Sequence, residues 1–290
     1  MADCKDLYWR AADGLMLHAR DYPAEGGKLP VICIHGLTRN SKDFEDLAPR
    51  IQATGRRVIA VDVRGRGESD RDPNPGNYNP GTYAADIVGL MANQVMPSAI
   101  FIGASMGGLI AMVLSAIAPQ AVAGAVLNDV GPELSPVGLA RIAGYVGQGG
   151  PIESWADAVD YIRSINEAAF PNLPDEEWER FARRTFREDD LGKPVLDYDP
   201  DISLAFRPPP GAPPPPAPDM WPLFFGLTAG RPVLLIRGSI SDLIDEEIAG
   251  RMREAAPKMA YAEVPNVGHA PMLTEPQAWR AIDAFLQQLP

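Results

Sequence analysis

The pentapeptide Gly103-Ala104-Ser105-Met106-Gly107 fits G-x-S-x-G, and its surroundings give the match meaning: residues 99–103 read as a strand and residues 106–118 as an apolar helix. A serine on a sharp strand-to-helix turn needs small residues two positions away on either side, because the backbone there closely approaches itself and its neighbours. Gly103 and Gly107 supply them. A bare helix cap would need neither glycine. The chemistry open to such a serine is attack on an acyl carbon, and its hydroxyl is a weak nucleophile until a general base takes its proton. Three histidines are present. His269, in Asn266-Val267-Gly268-His269-Ala270-Pro271, follows the last predicted strand and so emerges on the carboxyl edge of a sheet, as Ser105 does. His18 lies in an opening hairpin and reads as a surface or packing residue, while His35, before Gly36, reads as a residue that shapes its loop.

An acid must fix the imidazole tautomer and stabilise the imidazolium. Asp242, in Gly238-Ser239-Ile240-Ser241-Asp242 after strand 232–237, is the residue expected. Asp129 follows the strand ending at Asn128, lies on the same edge, and is the alternative. Asp245 and Glu246 fall where the next helix begins and suit its N-terminus. Acyl transfer also needs donors for the developing oxyanion. The backbone N–H of Met106, directly after the nucleophile, is one; that of Leu37, after His35-Gly36, is the other, on position alone.

The elements that must hold these residues follow from hydrophobic runs. A hairpin over residues 7–19 turns at Asp13-Gly14. Continuous apolar runs at 30–34, 57–61, 99–103, 124–128, 232–238 and 261–264 alternate with helical stretches, which predicts a mostly parallel sheet with helices on both faces, an α/β fold. The rhythm breaks over residues 132–222, where no parallel strand is predicted and helices are expected at 136–147, 153–169 and 175–187. A core of residues 1–131 and 223–290 with a helical insertion at 132–222 is the expected domain plan, the insertion closing in a proline-rich linker at 207–218. The uncharged run 101–118 is long enough to suggest a membrane span, but glycines at 103, 107 and 108 favour strand, turn and helix in series.

Composition narrows the partners. The 290 residues can bury a sizeable core, and 38 acidic against 26 basic residues give a net charge of −12, which repels nucleic-acid phosphate and anionic lipid. The expected partner is a small-molecule substrate, with neither nucleic acid nor membrane. Two cysteines, Cys4 and Cys33, and three histidines leave little for a disulfide framework or a zinc site, so no metal or cofactor is expected. The opening Met-Ala-Asp-Cys-Lys-Asp lacks an apolar core, so no secretory signal is read and a cytoplasmic location is expected.

Taken together, His35-Gly36 after a strand, Asp62-Val63-Arg64-Gly65-Arg66-Gly67-Glu68-Ser69 after the next, the turn at Ser105, Asp242 in its loop and Gly268-His269 resemble the serine α/β-hydrolase superfamily of esterases, lactonases and carbon–carbon hydrolases over nearly the whole chain. The resemblance implies a Ser-Asp-His order of triad residues, a helical cap where 132–222 lies, and hydrolysis of an ester or lactone through an acyl-enzyme. A serine at the turn sets the chain apart from the dehalogenase and epoxide hydrolase branches, which carry aspartate there. The meta-cleavage carbon–carbon hydrolases and weakly catalytic ligand-binding members of the superfamily are the alternatives. Leu37-Thr38-Arg39-Asn40 and Ala270-Pro271 depart from the glycine-rich stretch and the tryptophan typical of the former.

Overall fold

The computed structural model describes residues 4–148, 152–206 and 218–290; the linker expected at 207–218 falls outside them except for Pro218. Strands β1 (Lys5–Arg10) and β2 (Met16–Tyr22) pair antiparallel across the Asp13-Gly14 turn. Then strands and helices alternate as β3 (Val31–Ile34), α1 (Leu47–Gln52), β4 (Val58–Asp62), α2 (Pro80–Asn93), β5 (Ala99–Ala104), α3 (Met106–Ile117) and β6 (Val122–Asn128). Between β6 and the next strand of the sheet lie α4 (Pro136–Tyr145), α5 (Trp155–Asn166), α6 (Asp175–Thr185), a short pair β7 (Phe186–Glu188) and β8 (Pro194–Leu196), and α7 (Trp221–Thr228). The chain closes with β9 (Val233–Gly238), α8 (Glu246–Ala255), β10 (Ala260–Val264) and α9 (Pro276–Leu286).

The eight-stranded sheet runs β1-β2-β4-β3-β5-β6-β9-β10, parallel from β4 onward. From β3 the chain moves outward to β4 and then returns to the other side of β3 with β5. This reversal leaves a crevice beyond the carboxyl ends of β3 and β5, where ligands bind in open α/β sheets. The continuous apolar strands are explained by burial on both faces. In β3, Ile32 and Ile34 join a core beneath α2, α3 and α8, while Val31 and Cys33 face Leu47 and Ile51 of α1 and Ile282 and Phe285 of α9. Residues 59 and 61 of β4, and 99 and 101 of β5, alternate in the same way with their neighbours.

Helix starts follow from capping. Asn79 accepts from the N–H of Thr82 with Pro80 in the first turn, Ser154 accepts from Asp157, and Asp245 accepts from Ile248 at 2.8 Å, the part in α8 expected of it. Helix α6 carries Asp175, Glu176 and Glu177 in its first turn and Arg183 and Arg184 in its last, complementing its dipole at both ends.

The insertion differs in two places from the sequence reading. It contains the antiparallel β7–β8 pair, whose three-residue strands are too short to show an alternating pattern. Helix α7 straddles the expected boundary at residue 222, and its Phe224 and Leu227 are buried in the core that α3 shares. Helices α5 and α6 have a small core of their own, with Ile162, Phe170, Trp178 and Phe186 buried and the Trp178 and Phe181 rings stacked at 6.1 Å.

The turn after β5 tolerates only glycine at two points. A Cβ on Gly103 would lie 2.4 Å from the Gly107 carbonyl carbon, and one on Gly107 would lie 2.1 Å from the Ile34 carbonyl oxygen. By contrast Gly144, inside α4, faces open space. Gly107→Ala is therefore expected to destabilise by more than about 2 kcal/mol in urea unfolding, whereas Gly144→Ala stabilises by about 0.5–1 kcal/mol. Equal effects of the two would refute the close-approach account.

Candidate active site

Ser105 sits between β5 and α3 with φ 50° and ψ −115°, a strained conformation for a residue with a side chain. The turn is held from both sides: the Ser105 N–H donates to the Asn128 carbonyl at 3.0 Å, and the Ser105 carbonyl accepts from Gly108 at 2.8 Å. Its hydroxyl is thereby lifted above the sheet, where His269 Nε2 lies 2.9 Å from Ser105 Oγ. On the other side of the ring, His269 Nδ1 is 2.8 Å from Asp129 Oδ2. A carboxylate can only accept, so Nδ1 carries a proton, and in the neutral ring Nε2 then has its lone pair toward the serine.

The acid at the imidazole is Asp129, the alternative, and the expectation of Asp242 in that place is corrected. Asp242 is bound instead by Arg141 of α4, with Nε at 2.6 Å and a terminal nitrogen at 2.8 Å, and this guanidinium lowers the Asp242 pKa. Asp129 is fully buried at the end of β6 with φ 54°, in the left-handed region that Asp tolerates better than most side chains. Its backbone N–H donates to Ile236 at 2.7 Å, its Oδ1 accepts from the Gly238 N–H at 2.8 Å, and its Oδ2 accepts from Ser241 Oγ at 2.5 Å as well as from His269. The loop expected to carry the acid contributes donors to it. Three donors satisfy this buried carboxylate and fix its orientation.

Leu37 and Met106 line the same cavity as Ser105, and among the described residues no protein group accepts from either N–H. The loop after β3 rests against the serine, a Cβ on Gly36 being only 3.8 Å from that of Ser105. His35 organises this loop: Nδ1 donates to the Gly36 carbonyl at 2.7 Å and Nε2 accepts from the Val63 N–H at 3.0 Å. Burial lowers its pKa to about 4, so it stays neutral. His18 is also buried, between Asp62 at 2.7 Å and Asp6 at 3.1 Å, and neither histidine lines the cavity.

The cavity measures about 350 Å³. From the insertion Ile162, Ile165, Phe170 and Phe181 reach it, whereas Trp155, Tyr161, Trp178 and Phe186 do not. The end of α6 is fastened to the loop after β3: Asn40 donates to the Arg184 carbonyl at 2.8 Å, Lys42 to that of Phe186 at 3.1 Å, and Arg184 pairs with Glu45 at 2.8 Å. Arg39 lines the cavity at this junction, bonded to Asp43 and Thr185 beneath the Phe181 ring. Among the described residues no group of His, Cys, Asp and Glu is arranged to hold a metal ion, and no helix is long and apolar enough to cross a membrane.

This geometry has relatives. A 3-hydroxybutyrate-oligomer hydrolase from Cupriavidus necator is 32% identical over 256 residues, covering 85% of this chain and 84% of that protein. A 2-(acetamidomethylene)succinate hydrolase from Mesorhizobium japonicum is 27% identical over 246 residues, 84% of this chain and 83% of that one. The crystal structure of an alpha/beta hydrolase from Novosphingobium aromaticivorans superposes over 100% of both chains with a TM-score of 0.91 and 41% identity. The model of the alpha/beta hydrolase family matches residues 31–282, and with the parallel sheet, the turn at Ser105 and these relatives the chain belongs to that family.

Proposed function

We propose that this hydrolase cleaves a carboxylic ester or lactone of small to medium size through an acyl-enzyme on Ser105. The observation that carries the reading is the unbroken line from Ser105 Oγ through His269 to buried Asp129, at 2.9 and 2.8 Å. A serine held on a strained turn within hydrogen-bond reach of an imidazole that a carboxylate orients has no need to exist for packing alone. Ser105 Oγ bonds to the acyl carbon while His269 Nε2 takes its proton, and the carbonyl oxygen becomes an anion facing the N–H groups of Leu37 and Met106. As the tetrahedral intermediate collapses, the imidazolium gives that proton to the departing alkoxide. Water then repeats the sequence on the acyl-enzyme, returning the free acid and Ser105.

Helices α4 to α6 act as a cap over the serine in this reading, excluding water and supplying an apolar wall for the acyl group. The Cupriavidus relative, a 3-hydroxybutyrate-oligomer hydrolase by name, supports esters of short hydroxy acids as the first substrates to try. Asp129, rather than Asp242, is the acid, because the Arg141 ion pair occupies Asp242.

In a panel of p-nitrophenyl esters, simple lactones, a 3-hydroxybutyrate dimer and a meta-cleavage product, turnover of an ester or lactone is expected. Turnover of the meta-cleavage product alone would replace this reading with carbon–carbon hydrolysis. Asp129→Asn should lower kcat by about 10⁴-fold and Asp242→Asn by less than about 10-fold, and the reverse ranking would return the acid to Asp242. Ile165→Trp, which narrows the cavity, should lower the octanoate-to-acetate rate ratio by about 10-fold or more. An equal loss on both esters would mean that α5 supports the fold without selecting substrates.

A further inference from the structure

Two arginines are among the largest fully buried side chains, and their surroundings differ. Arg64 is enclosed by the carboxylates of Asp13, Asp72 and Asp86. Arg66, 1% exposed, forms no ion pair among the described residues. Its Nε donates to the Leu37 carbonyl at 2.9 Å, one terminal nitrogen donates to the Arg64 carbonyl at 2.7 Å and to Tyr83 Oη at 3.0 Å, and the other has only the Met106 sulfur at 3.8 Å. The rings of Tyr78 and Tyr83, at 5.6 and 5.1 Å, complete the enclosure. A buried cation without a counter-ion among the described residues is costly, and such a charge favours an anion that forms within its reach.

Its location says which anion it would favour. The guanidinium touches both residues whose N–H groups face the reacting carbonyl, Leu37 through its carbonyl and Met106 through its side chain. The peptide that carries the Leu37 N–H is fixed at its other end, where the Gly36 carbonyl accepts from His35 at 2.7 Å and from the Arg39 N–H at 3.2 Å. With Arg66 on the next carbonyl, both peptide groups flanking the Leu37 Cα are locked. Hydrogen-bonded peptides also polarise one another, which strengthens the donor at the end of the chain. Arg66 does not line the cavity, so substrate does not meet it.

We propose that Arg66 is a positioning residue for the oxyanion arm, holding the Leu37 peptide in donor geometry while its unpaired charge favours the anionic tetrahedral intermediate over the neutral ester. The inference rests on the acyl-enzyme reading of Ser105. Because the anion exists only during reaction, the effect falls on kcat and leaves binding of neutral substrate alone.

The test compares two inhibitors of equal chain length: an alkyl trifluoromethyl ketone, which adds to an activated serine as an anionic hemiketal, and the matching methyl ketone, which stays neutral. Arg66→Met should weaken the trifluoromethyl ketone about 10- to 100-fold and lower kcat by a similar factor, with KM and the methyl ketone constant within about 2-fold. Arg66→Lys, which keeps the charge, should bind the trifluoromethyl ketone within about 5-fold of the unaltered protein and so decides the matter even if the methionine variant does not fold. Equal shifts for both inhibitors, no shift for either, or a lysine variant that loses the selective affinity would overturn the role of Arg66. Ser105→Ala separates this from the parent reading: if the unaltered protein binds the trifluoromethyl ketone no tighter than Ser105→Ala, the acyl-enzyme on Ser105 falls and the role of Arg66 falls with it.

Discussion

The contact on which the site depends is between backbones. At its first turn α3 presses against the end of β3 so closely that a single methyl group on Gly107 would overlap the Ile34 carbonyl. That contact sets the height of Ser105 above the sheet and brings the loop after β3, with His35, Gly36 and Leu37, to its side. The strain in the Ser105 backbone, at φ 50°, is held by the same packing. Because β3 and β5 are neighbours on either side of the point where the strand order reverses, one crevice receives Ser105 from one strand and the loop with Leu37 from the other.

Charge in this crevice is managed by burial as much as by pairing. Asp129 has no exposure and is satisfied by donors from Gly238, Ser241 and His269, so its carboxyl is fixed at the Nδ1 edge of the imidazole. His35 is driven to its neutral form by burial and serves as a rigid connector between Val63 and Gly36. Helix α6 is joined to the loop after β3 through polar groups: Asn40, Lys42 and Glu45 all hold its end or the residue after it. The helices that line the cavity from residues 155–185 are thus tied to the loop that carries Leu37.

The sequence made the sheet, the elbow and the histidine legible because their signals are local: six apolar runs, two glycines flanking a serine, and a glycine-histidine pair after a strand. The acid was not decidable that way. Asp129 and Asp242 both follow strands that end at the same edge, and what separates them is the claim Arg141 makes on Asp242 across 101 residues of sequence. No spacing rule connects α4 to that loop. The asparagine-aspartate pair at 128–129, followed by Val130-Gly131-Pro132, is the one local hint, since aspartate accepts the left-handed turn that the site uses. Short strands β7 and β8 and the burial of α7 were illegible for a related reason: three residues carry no periodicity, and Phe224 and Leu227 are buried only by their packing against the core that α3 shares.

The central claim is that Ser105 carries the acyl group, and it is tested most directly by mass spectrometry of protein quenched in acid during turnover of a p-nitrophenyl ester. One acyl increment on the peptide containing Ser105, absent when His269 or Ser105 is replaced, is the result this account predicts. An acyl group on any other residue, or full turnover with no acylated protein when chemistry after acylation is slow, would contradict it.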